Sequence, residues 1–172
     1  MTLISFIFLL FNLSFALLIF FLTIAFVTGA PFVRSNKKAV DAMIRLAKIK
    51  KGSVVYDMGS GDGTLLFRAA ALDATAVRIE INPFLVLWTN LKILLTPYKQ
   101  SISVRWQNFW KTDFHDAEVV FVYLLPWRME SLEALLKQKC KPGTRIVSNS
   151  FIFPTLLRTG EDAAAHIYAF TL

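Results

Sequence analysis

Two carboxylates and three glycines fall within seven consecutive positions, Asp57-Met58-Gly59-Ser60-Gly61-Asp62-Gly63, directly after the apolar run Val54-Val55-Tyr56. A third acid, Glu80, stands 23 positions after Asp57, about one β-α-β unit later. In a strand-turn-helix unit a glycine at 59 can take a positive φ. One at 61 lets backbone approach a ligand, and one at 63 lets the helix close on the strand. This is the layout of a nucleotide-cofactor pocket, and charge decides which cofactor it admits. The dinucleotide fingerprint G-x-G-x-x-G requires glycine at position 64, where this chain has Thr64. Asp57 and Asp62 would also repel a pyrophosphate at the helix N-terminus. They suit a ligand with a positively charged amino acid end, held directly or through water.

S-adenosylmethionine has such an end, and the remaining positions accommodate the rest of it. Glu80, at the end of the second expected strand, can accept from both ribose hydroxyls, with Ile81 beside it. Asn108 follows the third strand and can hydrogen-bond adenine, while Phe109 or Trp110 covers its face. The candidate cofactor set is therefore Asp57, Gly59, Ser60, Gly61, Asp62, Gly63, Glu80, Ile81, Asn108 and Phe109. Tyr123 and Pro126, at the end of the fourth strand, are the candidate catalytic positions. Tyr123 offers an acceptor oxygen and a π face to a substrate amine, and Pro126 can expose a carbonyl. His115 and His166 read as surface or structural residues. No Ser/His/Asp or paired-carboxylate hydrolase arrangement emerges. One Cys and two widely spaced His do not make a structural zinc site, and no metal is expected. Cys140, between Lys139 and Lys141, could have a lowered pKa, although an incidental residue at a helix end is the simpler reading.

The elements that must position these groups alternate. Strands are expected at Ser53–Met58, Ala74–Ile81, Ile102–Trp106, Glu118–Leu125, Thr144–Asn149 and His166–Leu172. Helices are expected from Ser35 or Asn36 to about Lys50, stopped by Gly52, then at Thr64–Ala71, from Pro83 to about Leu95, and from Pro126 to about Lys139. Continuous apolar strands alternating with helices indicate an α/β fold, a Rossmann-like, mostly parallel sheet covered on both faces. About 140 residues is small for that architecture but sufficient for one core.

The first 30 residues belong to something else. From Thr2 to Val27 no side chain is charged, and 19 of these 26 residues are Leu, Ile, Phe or Val. Those 19 contribute roughly −6 to −11 kcal/mol to membrane insertion. As a helix the segment spans about 39 Å, enough for a hydrocarbon core of about 30 Å with some tilt. A cleaved signal peptide would need a positive n-region and a shorter apolar core. Residues 1–30 are thus expected to form a transmembrane anchor and residues 31–172 one cofactor-binding domain. Of the net charge of +7, +6 lies in Arg34 to Lys51. That bias puts the domain on the cytoplasmic side of a single-pass anchor, and the cluster suits an anionic lipid surface. No nucleic-acid motif accompanies it, so nucleic acid is not an expected partner.

On these motifs the chain resembles the membrane-anchored, seven-strand lysine methyltransferases related to the enzymes of the adenine nucleotide translocase and the ATP synthase c-subunit, with their bacterial homologues. The resemblance is carried by Pro31-Phe32-Val33, Asp57–Gly63, Glu80-Ile81-Asn82-Pro83, Asn108-Phe109-Trp110, Val120–Pro126, Lys141-Pro142-Gly143-Thr144 and Phe151-Ile152-Phe153-Pro154. It covers nearly the whole chain after the apolar helix. Arg34 stands where the family often has proline, and Leu156-Leu157 where a Trp would follow Pro154. The resemblance implies protein-lysine N-methylation of a membrane-associated protein substrate, in a bacterial inner membrane or on the matrix side of the mitochondrial one. Two other readings use the same residues: methylation of a lipophilic quinone or lipid, and a membrane-bound cofactor-binding module without catalysis.

Overall fold

The computed structural model describes residues 2–28, 36–58 and 63–172, the side chains of 24–28 excepted. The chain divides into two compact units, Met1–Pro31 and Phe32–Leu172.

The first unit is one helix, α1 (Leu3–Thr28). Its stretch Leu3–Thr23 is, among the described residues, the one helix long and apolar enough to cross a membrane. Two of its polar side chains fold back onto the helix. Asn12 donates to the Phe8 carbonyl at 2.8 Å, and Thr23 donates to that of Ile19 at 2.8 Å. Satisfied in this way, they lower the cost of placing the helix in hydrocarbon.

The second unit is built on a seven-stranded sheet of order β3-β2-β1-β4-β5-β7-β6. The strands are β1 (Val54–Met58), β2 (Thr75–Glu80), β3 (Ile102–Trp106), β4 (Val119–Val122), β5 (Arg145–Asn149), β6 (Arg158–Asp162) and β7 (Ile167–Thr171). The first five are mutually parallel; β7 runs antiparallel to β5, and β6 antiparallel to β7. The helices are α2 (Lys37–Ala47), α3 (Thr64–Ala70), α4 (Pro83–Leu94) and α5 (Met129–Lys139).

Alternation along the strands divides the core. Val55, Ala76, Ile102, Val119, Phe121, Val147 and Ala169 are buried together with the inner sides of α2 and α3 and with Ile93 of α4. Tyr56, Met58, Ile79, Val120, Ile146 and Phe170 point the other way, since successive strand side chains alternate. There Tyr56 meets Phe114 edge-on at 5.2 Å, and Phe170 meets Phe153 at 5.1 Å.

Four elements differ from the sequence expectation. The helix α2 ends at Ala47, not near Lys50, because Lys48 turns into the left-handed region (φ 50) and sends Ile49 back onto the core. Gly52 (φ 81) shapes the later turn, its N–H bonding the Asp73 carbonyl at 2.9 Å. The strand β4 stops at Val122 rather than Leu125, and Pro126 opens a 3-10 turn (Pro126–Arg128) before α5 begins at Met129. Proline has no N–H to continue a ladder. Finally, β6 escaped notice. Arg158-Thr159-Gly160-Glu161-Asp162 has no apolar alternation, and its pairing comes from β7, with a register shift between Arg158 and Gly160.

Candidate functional site

Because β1 to β4 are parallel, the residues ending each of them share one edge of the sheet. Asp57 lies one position from the end of β1, Glu80 ends β2, Asn108 follows β3, and Tyr123 is the first residue past β4. Strand order reverses direction between β1 and β4, the switch point at which open α/β sheets bind ligands. Asp57, Glu80, Asn108 and Tyr123, four of the candidate site residues, thus lie along one sheet edge. Gly59, Ser60, Gly61 and Asp62 lie outside the described residues.

The acids sit on one face. Asp57 is in register with Arg78, and Glu80 is two residues beyond Arg78, so all three side chains project to the side of α3 and α4. All are buried, Asp57 at 1% and Glu80 at 7% exposure. Arg78, 0% exposed, had no place in the sequence reading. Its Nη2 donates to Glu80 Oε2 at 2.5 Å and its Nη1 to Thr89 Oγ1 of α4 at 2.5 Å. An arginine with a carboxylate at i+2 in an apolar strand was the signal that could have found it.

The segment Glu80-Ile81-Asn82-Pro83 forms a compact turn. The Asn82 N–H donates to Glu80 Oε1 at 2.9 Å, and Asn82 Oδ1 accepts from the Phe84 N–H at 2.9 Å, capping α4, with Pro83 at its first turn. The Ile81 carbonyl accepts from the Trp106 indole at 3.0 Å. Glu80 is thereby fixed in orientation, yet two occupied acceptor positions leave about two of roughly four carboxylate lone pairs for further donors.

Gly63 starts α3 with φ 76, and a Cβ built there would lie 3.3 Å from Thr89 Cγ2. The glycine therefore permits both a left-handed backbone and close approach of α3 to α4, through the threonine that holds Arg78. Asn108 spends its side-chain oxygen on the Trp110 N–H at 3.0 Å, capping the 3-10 turn Phe109–Lys111. Phe109 is buried against Trp110 with ring centroids 4.8 Å apart, and the Arg128 guanidinium lies 5.9 Å from the Trp110 ring centre. Lys139 bonds the carbonyls of Trp110 and Thr112 at 3.2 and 2.8 Å, which pins this turn to α5.

Past the end of β4, Tyr123 is half-buried and Pro126 exposed. The Pro126 carbonyl accepts from the Met129 N–H, leaving its second lone pair. The neighbouring segment 151–157 is held to α5 by Glu133, which sequence reasoning also missed. Glu133 accepts from the Thr155 N–H at 3.0 Å, from the Thr155 hydroxyl, and from Lys137 at 2.6 Å. Burial alone would raise its pKa, but the hydrogen bonds from Lys137 and Thr155 outweigh it and hold the carboxyl below its usual range.

Cys140 departs from the reactive-thiol alternative. Burial, with Asp113 adding to it, pushes the thiol up to about 12, and Lys139 is turned away to its two carbonyls. His115 is an exposed partner of Asp113 at 2.8 Å, and His166 occupies a turn with φ 54.

Strand order, two buried acids on the adjacent strands β1 and β2 and a glycine-started helix define a class I methyltransferase fold, and the donor set fits S-adenosylmethionine. The chain belongs to the family of the ANTKMT methyltransferase domain, whose model matches residues 57–159. It therefore carries an S-adenosylmethionine-dependent methyltransferase domain. A protein-lysine N-methyltransferase of Saccharolobus islandicus is 33% identical over 129 residues, covering 74% of this chain and 80% of the relative. The human lysine N-methyltransferase of the ATP synthase c-subunit is 30% identical over 124 residues, covering 72% of this chain but 53% of the human protein. The chain thus spans about half the length of that mammalian relative. Among solved structures, an RNA methyltransferase of Salinibacter ruber in complex with S-adenosyl-L-homocysteine is 32% identical. It superposes with a TM-score of 0.75, covering 81% of this chain and 93% of that one.

Proposed function

We propose that the protein is a protein-lysine N-methyltransferase acting on a membrane-associated protein, tethered through α1 as a single-pass anchor with its domain on the cytoplasmic or matrix side. The observation that carries the reading is the pairing of a buried acidic cofactor edge with an N-terminal helix long enough to span a bilayer. The basic run from Arg34 to Lys51 supports the sidedness. The names of the archaeal and human relatives support lysine as the acceptor.

When bound, S-adenosylmethionine would supply an electrophilic methyl carbon to a neutral amine, the new N–C bond forming as the C–S bond breaks, with S-adenosylhomocysteine leaving and the amine's extra proton passing to water. The chain's residues contribute alignment and desolvation. Asp57, with Asp62, holds the amino acid end, Glu80 the ribose and Asn108 the adenine. Phe109, buried, backs the adenine side through Trp110. Tyr123 and the free lone pair of the Pro126 carbonyl orient the lysine amine. An aromatic, poorly hydrated surround favours the neutral amine, which is the nucleophile. The tether raises the effective concentration of substrates at the same membrane.

The solved relative described as an RNA methyltransferase makes RNA the second reading. One experiment separates them. Labelled methyl donor is added to membranes and soluble extract from cells lacking the protein, supplemented with the full chain or its Glu80→Gln variant. Label on lysine Nζ of a discrete membrane protein, lost with the variant, is the expected result. Label in RNA or in the lipid extract, or none in any fraction, overturns it.

A further inference from the structure

The helix α4 turns only Thr89 and Ile93 fully inward. Its opposite side carries Phe84, Leu87, Trp88, Leu91, Leu94 and Leu95, exposed by 61, 59, 55, 49, 70 and 90%. The spacing 84, 87, 88, 91, 95 is one helical face. A contiguous apolar surface of this kind marks an interaction site on a folded domain.

Its surroundings identify the occupant. No acidic residue occurs between Glu80 and Asp113, and the helix and the turn after it carry Lys92 and Lys99. The Lys92 ammonium lies 5.8 Å from the centre of the Trp88 ring, so its stem covers the indole while its charge stands at the rim of the apolar face. Trp106, 69% exposed, and Tyr98, 38% exposed, add two more amphipathic rings. Apolar residues on one face, with lysines and aromatic rings around them, are what a helix lying in a headgroup layer presents. A second copy packed on the same face would bring Lys92 and Lys99 towards their own counterparts, whereas anionic headgroups would neutralise them. Residues 29–36, between α1 and α2, reach about 30 Å when fully extended, a short leash for a domain whose helix α1 enters a bilayer.

We infer that the outer face of α4 docks onto an anionic lipid surface, a second contact in addition to α1. The docked helix begins at the Glu80–Pro83 turn, so this contact would hold the cofactor edge near the headgroups rather than leave it on a free tether.

The test uses the full chain with C140A as background and a single nitroxide-labelled cysteine at Leu87 or Leu91. Controls are labelled at Leu13 in α1 and at Lys51. The proteins are reconstituted in phosphatidylcholine vesicles with phosphatidylglycerol, and retained S-adenosylhomocysteine binding verifies folding. At Leu87 and Leu91, collisions with oxygen should exceed those with a water-soluble nickel complex severalfold, as at Leu13 and opposite to Lys51. Omitting phosphatidylglycerol should lower the ratio, and an unchanged ratio removes the anionic requirement. Strong nickel collisions at Leu87 and Leu91 overturn the inference. So do weak collisions with both reagents, the mark of a protein partner or second copy. A lipid signature at Leu13 with a wet Leu87 overturns docking while leaving the anchor standing.

Discussion

Arg78 and Glu80 form an ion pair at 2.5 Å inside the domain, with side-chain exposures of 0 and 8%. They are two residues apart on the same face of β2, and Thr89 takes the other end of the guanidinium. The arginine positions the carboxylate expected to meet the cofactor ribose, and through Thr89 it fixes α4 to the sheet. Removing the cation alone strands a buried negative charge. Arg78→Met should therefore cost about 3–5 kcal/mol of stability. Arg78→Met combined with Glu80→Gln should recover part of that loss. Urea denaturation of the three proteins checks it; equal destabilisation by the single and double variants contradicts the pairing.

Glu80→Gln by itself keeps the shape and removes the charge. The expected effect is about 10- to 100-fold weaker binding of S-adenosylhomocysteine, from charge-assisted hydrogen bonds worth about 1.5–3 kcal/mol. Titration calorimetry measures it. Asp57→Asn should weaken binding in the same range, and neither protein should bind NAD.

Tyr123→Phe separates the substrate side from the cofactor side. With acceptor present, kcat should fall by about tenfold or more, while the Kd for S-adenosylhomocysteine stays within about twofold. A matching loss in both would move Tyr123 into the cofactor pocket.

Glu133 sets an acid limit. Its folded pKa is depressed, so it binds its proton less readily in the native state than in the unfolded chain. Its contribution is complete above the unfolded value of about 4.3 and disappears as pH falls through the folded one. The wild-type melting temperature should drop more steeply below about pH 4 than that of Glu133→Gln. Parallel curves would show that the bond to segment 151–157 carries no charge-dependent stability.

Cys140 should be inert while the domain is folded. With the thiol pushed up to about 12 against about 8.5 for a free cysteine, alkylation at pH 8.5 should be more than about 100-fold slower in the native protein than in urea. Stability should correspondingly decline as pH rises above the unfolded value. Iodoacetamide labelling followed by mass spectrometry reads the rates.

Much of this fold is written locally. Val54–Met58 is a mostly apolar run and Ile102–Trp106 an apolar-polar alternation, each bounded by turn residues, and Asn82-Pro83 and Asn36 are helix starts whose caps are present in the structure. What eluded sequence reasoning depends on partners far along the chain. The strand β6 is charged and pairs only because β7 lies beside it. Glu133 looks like an ordinary solvated acid of an amphipathic helix until Thr155, 22 residues on, closes over it. Arg78, to which the sequence reading gave no role, is wholly buried. In the site, the acids on β1 and β2 were legible because their type and spacing are local. The internal cation that organises them left a single local trace, a carboxylate two residues on in an apolar strand, and its burial depends on Thr89 of α4.

The irregular pairing of β6 has a consequence for crowding. This strand is an outer boundary of the sheet and offers its unpaired backbone groups to any neighbouring molecule. The slip between Arg158 and Gly160 breaks the regular repeat that a foreign strand would need. Arg158 and Glu161, bonded to each other at 2.6 Å, and Asp162, bound to Arg45, place charge along the same border. Many copies at high local concentration can thus sit side by side without zipping into fibrils.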